Sequence, residues 1–401
     1  MTFQISVVIP AYNSAEFLPT AIDSALAQIY QPHEIIIVND GSTDCTGDIA
    51  NQYASRYGAV IRVIHQENRG LAEARNAGIE AAAGQWIGLL DSDDSWEPHC
   101  LTRLVELIQA LPAADAAYCA ARCMDAAGNL LPQMAGQKTV APSDFYWTLL
   151  QANWLIPSTM LLRRSALVMH GGFDPFDPTV YASEDFDMWL RMARGGSQFI
   201  GTTDVCARYR LHGSSLSADS KRMQHAIWQV IEKHFGGDDG VVAEWSAEKK
   251  RAFGGYYRLC AVTTLLREQN WTLAADHLRC ALRYDPTLAS DLDLFYEFVL
   301  GDQPLGQRGQ TSIDMMEAEQ KVEMLLNTLS TDSQLVPLCS TIHMTATLAL
   351  GLVAYNSEQL GISRPYLWET MRTIPTPLRW RLRAGKLLLH SFVRSANILP
   401  S

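Results

Sequence analysis

The sequence lacks several things, and each absence narrows what the chain can be. Charged residues make up only 19% of the 401 positions, and the balance is acidic, with a formal net charge of −11. A general nucleic-acid binder needs a basic field, so that class is excluded. No long apolar run stands out: the longest, around Thr345–Ala354, is too short to cross a bilayer. No leader is visible, since Met1 runs directly into an apolar strand at Phe3–Ile9. The eight cysteines form no framework. Cys119 and Cys123 are the closest pair, and no second Cys/His pair completes a zinc site. Reduced thiols in a cytoplasmic protein are expected. The apolar fraction of 48% fits a globular chain long enough for two or three domains.

What is present is organised around Trp86-Ile87-Gly88-Leu89-Leu90-Asp91-Ser92-Asp93-Asp94. The apolar part reads as a buried strand that ends in three carboxylates. Carboxylates crowded at a strand end repel one another, so either water solvates them or a cation neutralises them. A calcium loop does not fit the run. Trp96 stands where the sharp-turn glycine belongs, and Thr102 where the bidentate glutamate belongs.

Ahead of this stretch the chain alternates strand and helix. Ile5–Ile9 is a strand, broken by Pro10-Ala11-Tyr12-Asn13, and an apolar helix face follows through Phe17, Leu18, Ala21, Ile22, Ala25 and Leu26. Asn13 or Ser14 is its natural cap. Glu34–Val38 is a second strand, ending in Asn39-Asp40-Gly41-Ser42-Thr43-Asp44, where Ser42 or Thr43 can cap the next helix. Val60–Ile64 is a third, followed by a helix that opens at Asn68-Arg69-Gly70 and ends near Gly84. This alternation predicts an α/β fold with a mostly parallel sheet and helices on both faces. Ligands of such sheets bind at the carboxyl ends of the strands. Tyr12-Asn13, Asp40 and Asp91–Asp94 all fall at such ends.

Four motifs in order now carry a resemblance. They are Val8-Ile9-Pro10-Ala11-Tyr12-Asn13, Val38-Asn39-Asp40-Gly41-Ser42-Thr43-Asp44, Asn68-x-Gly70 with Ala74-Arg75-Asn76-x-Gly78, and Leu90-Asp91-Ser92-Asp93-Asp94. In order and spacing the chain resembles family-2 glycosyltransferases of the GT-A fold over roughly residues 1–235. The resemblance implies a nucleotide-sugar donor, most often a UDP-sugar, a divalent metal (Mn²⁺ or Mg²⁺) and inversion at the anomeric carbon. It places Pro10, Ala11, Tyr12 and Asn13 at the nucleoside, Asp40 on the base edge, Gly70 and Arg75 near the nucleotide, and Asp91 with Ser92 toward the ribose and sugar. Asp93 is implied as a ligand of the metal that bridges the diphosphate.

A second patch, Ser183-Glu184-Asp185-Phe186-Asp187-Met188-Trp189-Leu190-Arg191, resembles the family's Glu-Asp element before an amphipathic helix. Acids at a helix start are common, because the helix dipole favours them there. The resemblance implies more: Asp185 as the general base, with Glu184 orienting it or holding the acceptor. Trp189 reads either as core or as a platform for an acceptor sugar. Arg208-Tyr209-Arg210-Leu211-His212-Gly213-Ser214-Ser215-Leu216-Ser217 resembles the segment that closes the family's domain. It implies His212 as a second metal ligand and Arg210 as a neutraliser of the diphosphate. Between these patches, Ala116–Cys119 and Thr159–Leu162 read as strands, Asp144–Ala152 as a helix and Gln133–Pro142 as loop.

Gly236–Gly240 is a polar break between a domain at 1–235 and another at 241–401. The latter reads as all-helical. Asn270-Trp271-x-x-Ala274-x-x-x-Leu278-x-x-Ala281-Leu282-x-x-Asp285-Pro286 resembles a tetratricopeptide unit, with a weaker echo 89 residues later ending at Ile374-Pro375. Such repeats suit a protein partner. The last helix, Pro377 to about Ser395, carries Arg379, Arg381, Arg383, Lys386 and Arg394 beside an apolar stripe of Leu378, Leu382, Leu389 and Phe392, with Trp380 next to it. It either docks that stripe on its neighbours or lies on an anionic membrane, which would put the protein at the inner face.

The expected activity is transfer of a sugar to an acceptor in a glycan, a lipid-linked oligosaccharide or a protein. A nucleotidyltransferase is one alternative, but it needs a glycine-rich basic loop after the first strand, and Pro10–Ser14 has neither property. A repeat-bearing adaptor with a decayed transferase domain is the other, and Asp93, Asp185 and His212 are all retained.

Overall fold

A computed structural model describes residues 3–175, 183–213, 219–301, 313–372 and 378–395, the last without side-chain detail at its two ends. Part of the closing segment (214–217), the echo at Ile374-Pro375, Pro377 and the side chains of Leu378, Arg379 and Arg394 fall outside that description. The chain divides into two compact units, Met1–Gly236 and Gly237–Ser401.

The first unit is built on one sheet. β1 (Ile5–Ala11), β2 (Glu34–Asp40), β3 (Ile61–Gln66) and β4 (Trp86–Leu89) lie parallel in the order β3-β2-β1-β4. Their connections are α1 (Leu18–Leu26), α2 (Thr46–Arg56) and α3 (Leu71–Ala81). The inner strands are apolar without alternation because both faces are covered, as parallel sheets require. Gly78 lets α3 approach β1 closely, since a Cβ there would sit 2.3 Å from a Val8 methyl. The α/β fold read from the sequence is the one present.

Beyond β4 the sheet changes character. β8 (Met160–Arg163) pairs antiparallel with β4, and β6 (Ala116–Met124) pairs antiparallel with β8. β9 (Phe199–Arg210) then runs parallel to β6, with the two-residue β5 (Ser95–Trp96) on its far edge and β7 (Leu130–Ala135) against β6. The stretch that reads as loop from Gln133 therefore begins as strand. β9 has no clean alternation, with bulges in its pairing to β6, which is why pattern reading missed it. α4 (Cys100–Ala110), α5 (Phe145–Gln151), α6 (Arg164–Met169), α7 (Glu184–Arg194) and α8 (Ser220–Phe235) complete the unit.

The expected caps differ. α1 starts at Leu18 behind the main-chain carbonyl of Ser14, and α2 starts at Thr46, whose amide is held by Asp44. Asn13, Ser42 and Thr43 instead bind one another, because the β1 and β2 ends are adjacent and their loops meet.

The described part of the second unit is helical: α9 (Ala247–Thr263) with a π-turn at Thr264–Glu268, α10 (Trp271–Tyr284), α11 (Leu292–Leu300), α12 (Met315–Ser330), α13 (Cys339–Asn356), α14 (Leu360–Arg372) and α15 (Leu378–Ser395). Asn270 caps α10 and Asp291 caps α11 through their side chains. The segment Val336–Asn356, which contains α13, is long and apolar enough by composition to cross a membrane, which corrects the reading of its core run as too short. It is buried along most of its length and packs against α11, α12 and α14 at the centre of the unit.

α15 docks through a different row from the stripe read in the sequence. The row that docks is Trp380, Ala384 and Leu388, packed on Leu348, Leu352 and Leu367. Of the stripe read as either docking or meeting a membrane, Leu382, Leu389 and Phe392 are 65%, 68% and 53% exposed. The apolar residues of this helix cover two faces, and the one carrying Trp380 and Ala384 is the one packed on its neighbours.

Candidate active site

β2, β1 and β4 end side by side, so their polar ends form one rim. On it, Asp91 follows β4 with its amide held by Ser158 Oγ at 3.0 Å. Ser92 Oγ donates to Ser14 Oγ at 2.8 Å, tying the acidic run to the loop after β1. Asp93 Oδ2 lies 2.9 Å from His212 Nε2 across 119 positions. The Phe17 ring sits against His212, with ring centres 5.0 Å apart. The acidic run and the end of β9 therefore meet, as the motifs require.

Burial pushes the Asp93 carboxyl up, and the Asp91 charge adds to it, against the hydrogen bond with His212. Asp94 is displaced further for the same reason, by burial and then by the charges of Asp93 and Asp91. The rim thus holds more negative charge than it can comfortably ionise, and a cation would relieve it. Among the described residues no group of three or more His, Cys, Asp or Glu could hold a metal alone. Asp93 and His212 offer two donors. This suits Mg²⁺ or Mn²⁺, which take one or two protein groups and leave the remaining positions to phosphate and water.

Deeper in, Arg75 of α3 is 1% exposed. Its guanidinium donates to Asp91 Oδ1 at 2.7 Å and to Glu184 Oε1. Arg75, implied near the nucleotide by resemblance, is in the structure a buried strut between two carboxylates. Glu184 opens α7, so the strut also fixes its neighbour Asp185. The Asp185 carboxyl is pushed up to about 7, first by burial and then by the Glu184 charge, against the pull of Arg75. Asn153 Nδ2 donates to its Oδ2 at 3.3 Å. Neither Asn153 nor Ser158 carries a sequence signal, since each acts from an irregular segment brought in by the fold.

Other expected residues have different work. Asp40 is buried and accepts from Gln66 Nε2, Arg69 N and Gly70 N at 2.8–2.9 Å, so it shapes the turn that Gly70 makes at φ +90°. The Arg210 side chain is buried against main-chain carbonyls. Its Nε donates to the Asp93 carbonyl and its NH1 to those of Asp125 and Ala126, while its amide donates to Asp94 Oδ1. It supports the acidic run from below. Pro10 and Ala11 are buried at the end of β1, and the Tyr12 side chain stands open on the rim beside Asn13, which is held in the left-handed region at φ +47°. Trp189 is fully buried edge-on to Phe173, so it is core and not a sugar platform.

Residues 6–168 match the model of glycosyl transferase family 2. The chain is 31% identical over 253 residues to the uncharacterized glycosyltransferase RT0329 of Rickettsia typhi, covering 61% of this chain and 76% of that protein. The chain belongs to glycosyl transferase family 2. A second family relative is the putative teichuronic acid biosynthesis glycosyltransferase TuaG of Bacillus subtilis, 29% identical over 230 residues and covering 57% of this chain and 87% of the relative. The chain spans two thirds or less of the length of several other curated relatives, between 29% and 66%. Among solved structures it is similar to residues 1–349 of S. aureus TarS, at 15% identity, with 86% of this chain and 90% of that one covered and a TM-score of 0.49. The matched family region ends before α7 and β9.

Proposed function

We propose that this family-2 chain transfers a sugar from a nucleoside-diphosphate donor, UDP-linked in the first instance, to an acceptor hydroxyl in polysaccharide or glycan assembly, with inversion and with help from a divalent cation. One observation carries the reading. A carboxyl tuned to about 7, Asp185, is joined through Glu184 and Arg75 to the rim that carries Asp91, Asp93 and His212. A general base works best when its pKa lies near the operating pH.

Pro10, Ala11, Tyr12 and Asn13 line the nucleoside side, and the Asp40-anchored turn at Gly70 forms the pocket's neighbouring wall. Asp91 and Ser92 face the ribose and sugar. Asp93 and His212 would hold the cation, which supplies charge neutralisation for the departing diphosphate. Asp185 takes the acceptor proton while the hydroxyl attacks the anomeric carbon on the face opposite the leaving group. One displacement of this kind inverts the centre. Arg75 keeps Asp91 and the Glu184–Asp185 pair in register. In the second unit the α9–α10 pair has the pattern of a tetratricopeptide unit and offers a surface for a protein partner. TuaG is named as a putative teichuronic acid biosynthesis glycosyltransferase, which favours a polysaccharide as the product class.

The test is a panel of nucleotide sugars with Mn²⁺ or Mg²⁺, read as release of free nucleoside diphosphate, in parallel with EDTA and an Asp185→Asn variant. Release with one donor, lost in both controls, is expected. Release by the variant at the parent rate would sink the assignment of the base. Absence of release across the panel, together with no thermal shift on UDP and Mn²⁺, would sink the donor class.

A further inference from the structure

The second unit carries a surface outside the site described above. α15 is amphipathic twice over. Trp380, Ala384, Leu388 and Ser391 recur at helical spacing and are buried against the unit. On the other side Leu382, Leu389 and Phe392 recur at spacings of seven and three and stand in solvent. Lys386 lies between Leu382 and Leu389 along the same side, and Arg383 borders it; both are exposed. Arg381 is anchored at the opposite margin through its Nε to the Met371 carbonyl at 2.9 Å.

α14 extends this surface. Arg364 donates to the Ser391 carbonyl at 2.9 Å, and its guanidinium carbon lies 4.1 Å from the centre of the Phe392 ring. Trp368 and Arg372 follow Arg364 at intervals of four, on the same side of α14. Trp368 is 51% exposed, with Arg372 at 5.8 Å from its ring centre. Glu369, one position off this row, faces His343 at 3.9 Å. Residues 370–401 contain six basic side chains and no acidic one, in a chain whose net charge is −11.

We propose that this face of α14 and α15 docks on a bilayer bearing anionic lipids. The charge pattern selects that occupant. The residues bordering the exposed leucines on α14 and α15 are mostly cationic, with Asp291 and Asp293 lining the groove beside Arg383 and Glu369 next to Trp368 as the acids nearby; anionic headgroups match that border while acyl chains take the leucines. Lysine and arginine stems suit the arrangement, since they lie along apolar surface and keep their charge at the headgroups. Trp368 belongs at such a boundary for the same reason. The contact is peripheral, because the helix is already held by its inner row. The proposal stands apart from the sugar-transfer reading and is tested without any activity.

The experiment is flotation of the full chain with vesicles of phosphatidylcholine, with and without phosphatidylglycerol at one third of the lipid. The chain is expected to float with the anionic vesicles and to stay behind with phosphatidylcholine alone. Raising salt, which shortens the Debye length from about 8 Å at 0.15 M to about 3 Å at 1 M, should release much of it. Leu382→Glu with Leu389→Glu should cut binding by about tenfold or more, since two apolar side chains no longer enter the bilayer. Arg383→Glu with Lys386→Glu should do so through charge alone. All four positions are exposed, so circular dichroism and melting temperature should match the parent. Failure of the parent to float with anionic vesicles, or equal flotation by either folded double variant, overturns the proposal. A parent that fails to float but is a dimer by light scattering, and becomes a monomer in Leu382→Glu with Leu389→Glu, would show that two copies pair through this face instead.

Discussion

The guanidinium of Arg75 bridges Asp91 and Glu184, residues from the end of β4 and the start of α7 that lie 93 positions apart, placing one nitrogen at 2.7 Å from Asp91 Oδ1 and another on Glu184 Oε1. The rim at the end of β4 and the start of α7 are joined by this buried guanidinium. It also lies over the Phe173 ring, 5.4 Å from its centre.

Replacing Arg75 by Met should therefore be severe. It leaves two carboxylates without their counter-charge, a change that typically costs roughly 3–5 kcal/mol when a buried ion pair loses one partner. Arg75→Lys should recover part of the stability and little of the turnover, because one ammonium cannot span both acids as a planar fork does. Denaturant unfolding and nucleotide-sugar turnover on both variants check this, and an Arg75→Lys enzyme of parent activity would refute the bridging role.

Asp185 should give the rate its pH dependence. Its carboxyl is raised to about 7, so the base form is scarce below that value and complete above it. Turnover should rise about tenfold per pH unit on the acid side and level off above about pH 7. Asp185→Asn should lower turnover by ~10²–10⁴-fold and leave nucleotide affinity near the parent's. A flat parent profile from pH 5.5 to 8 would count against the assignment.

Asp93 and His212 should act together on metal-dependent binding. In calorimetry with UDP, the gain in affinity from Mn²⁺ should shrink in Asp93→Asn and in His212→Ala. EDTA should abolish what is left, and neither change should affect folding as Arg75→Met does. An unaltered Mn²⁺ increment in His212→Ala would remove the histidine from the metal.

Asp187 should matter for stability rather than for chemistry. It is fully buried and accepts from Arg191 Nε, Lys233 Nζ and His234 Nε2 at 2.8–2.9 Å, which fixes α8 to α7. Burial acts to raise its pKa, but the hydrogen bonds from His234 and Lys233 and the Arg191 charge outweigh it and bring the value down to about 2 from an ordinary 3.8. A depressed folded value means stabilisation that is complete above pH 4 and lost as pH falls toward 2. Asp187→Asn should lower stability at pH 7 by roughly 3 kcal/mol and flatten this acid limb. Thermal melts across pH 2–7 on both proteins provide the measurement.

The residues that could be read before any coordinates were those whose meaning is local. The strand ends at Asn13, Asp40 and Asp91–Asp94 are visible because period and punctuation set them, and parallel pairing of consecutive strands then forces them onto one rim. Asp93 with His212 and Glu184 with Asp185 were legible as motif positions. Asn153 and Ser158 gave no such signal, since what they do depends on which distant groups arrive beside them.

The sequence by itself determined the alternation of strand and helix, the acidic end of β4, and a helical second half whose last helix is basic and apolar together. Only the tertiary structure decided how each charged group is used. By resemblance Arg75 belonged near the nucleotide and Arg210 by the diphosphate; in the fold one is a buried strut between carboxylates and the other donates to main-chain carbonyls. In α15, Trp380 took the inner face and left Leu382 and Leu389 outside, because a helix with apolar side chains on two sides can bury only the side whose shape fits its neighbours. A buried charge must meet a partner wherever the fold brings one, and that partner is named by packing, not by position in the chain.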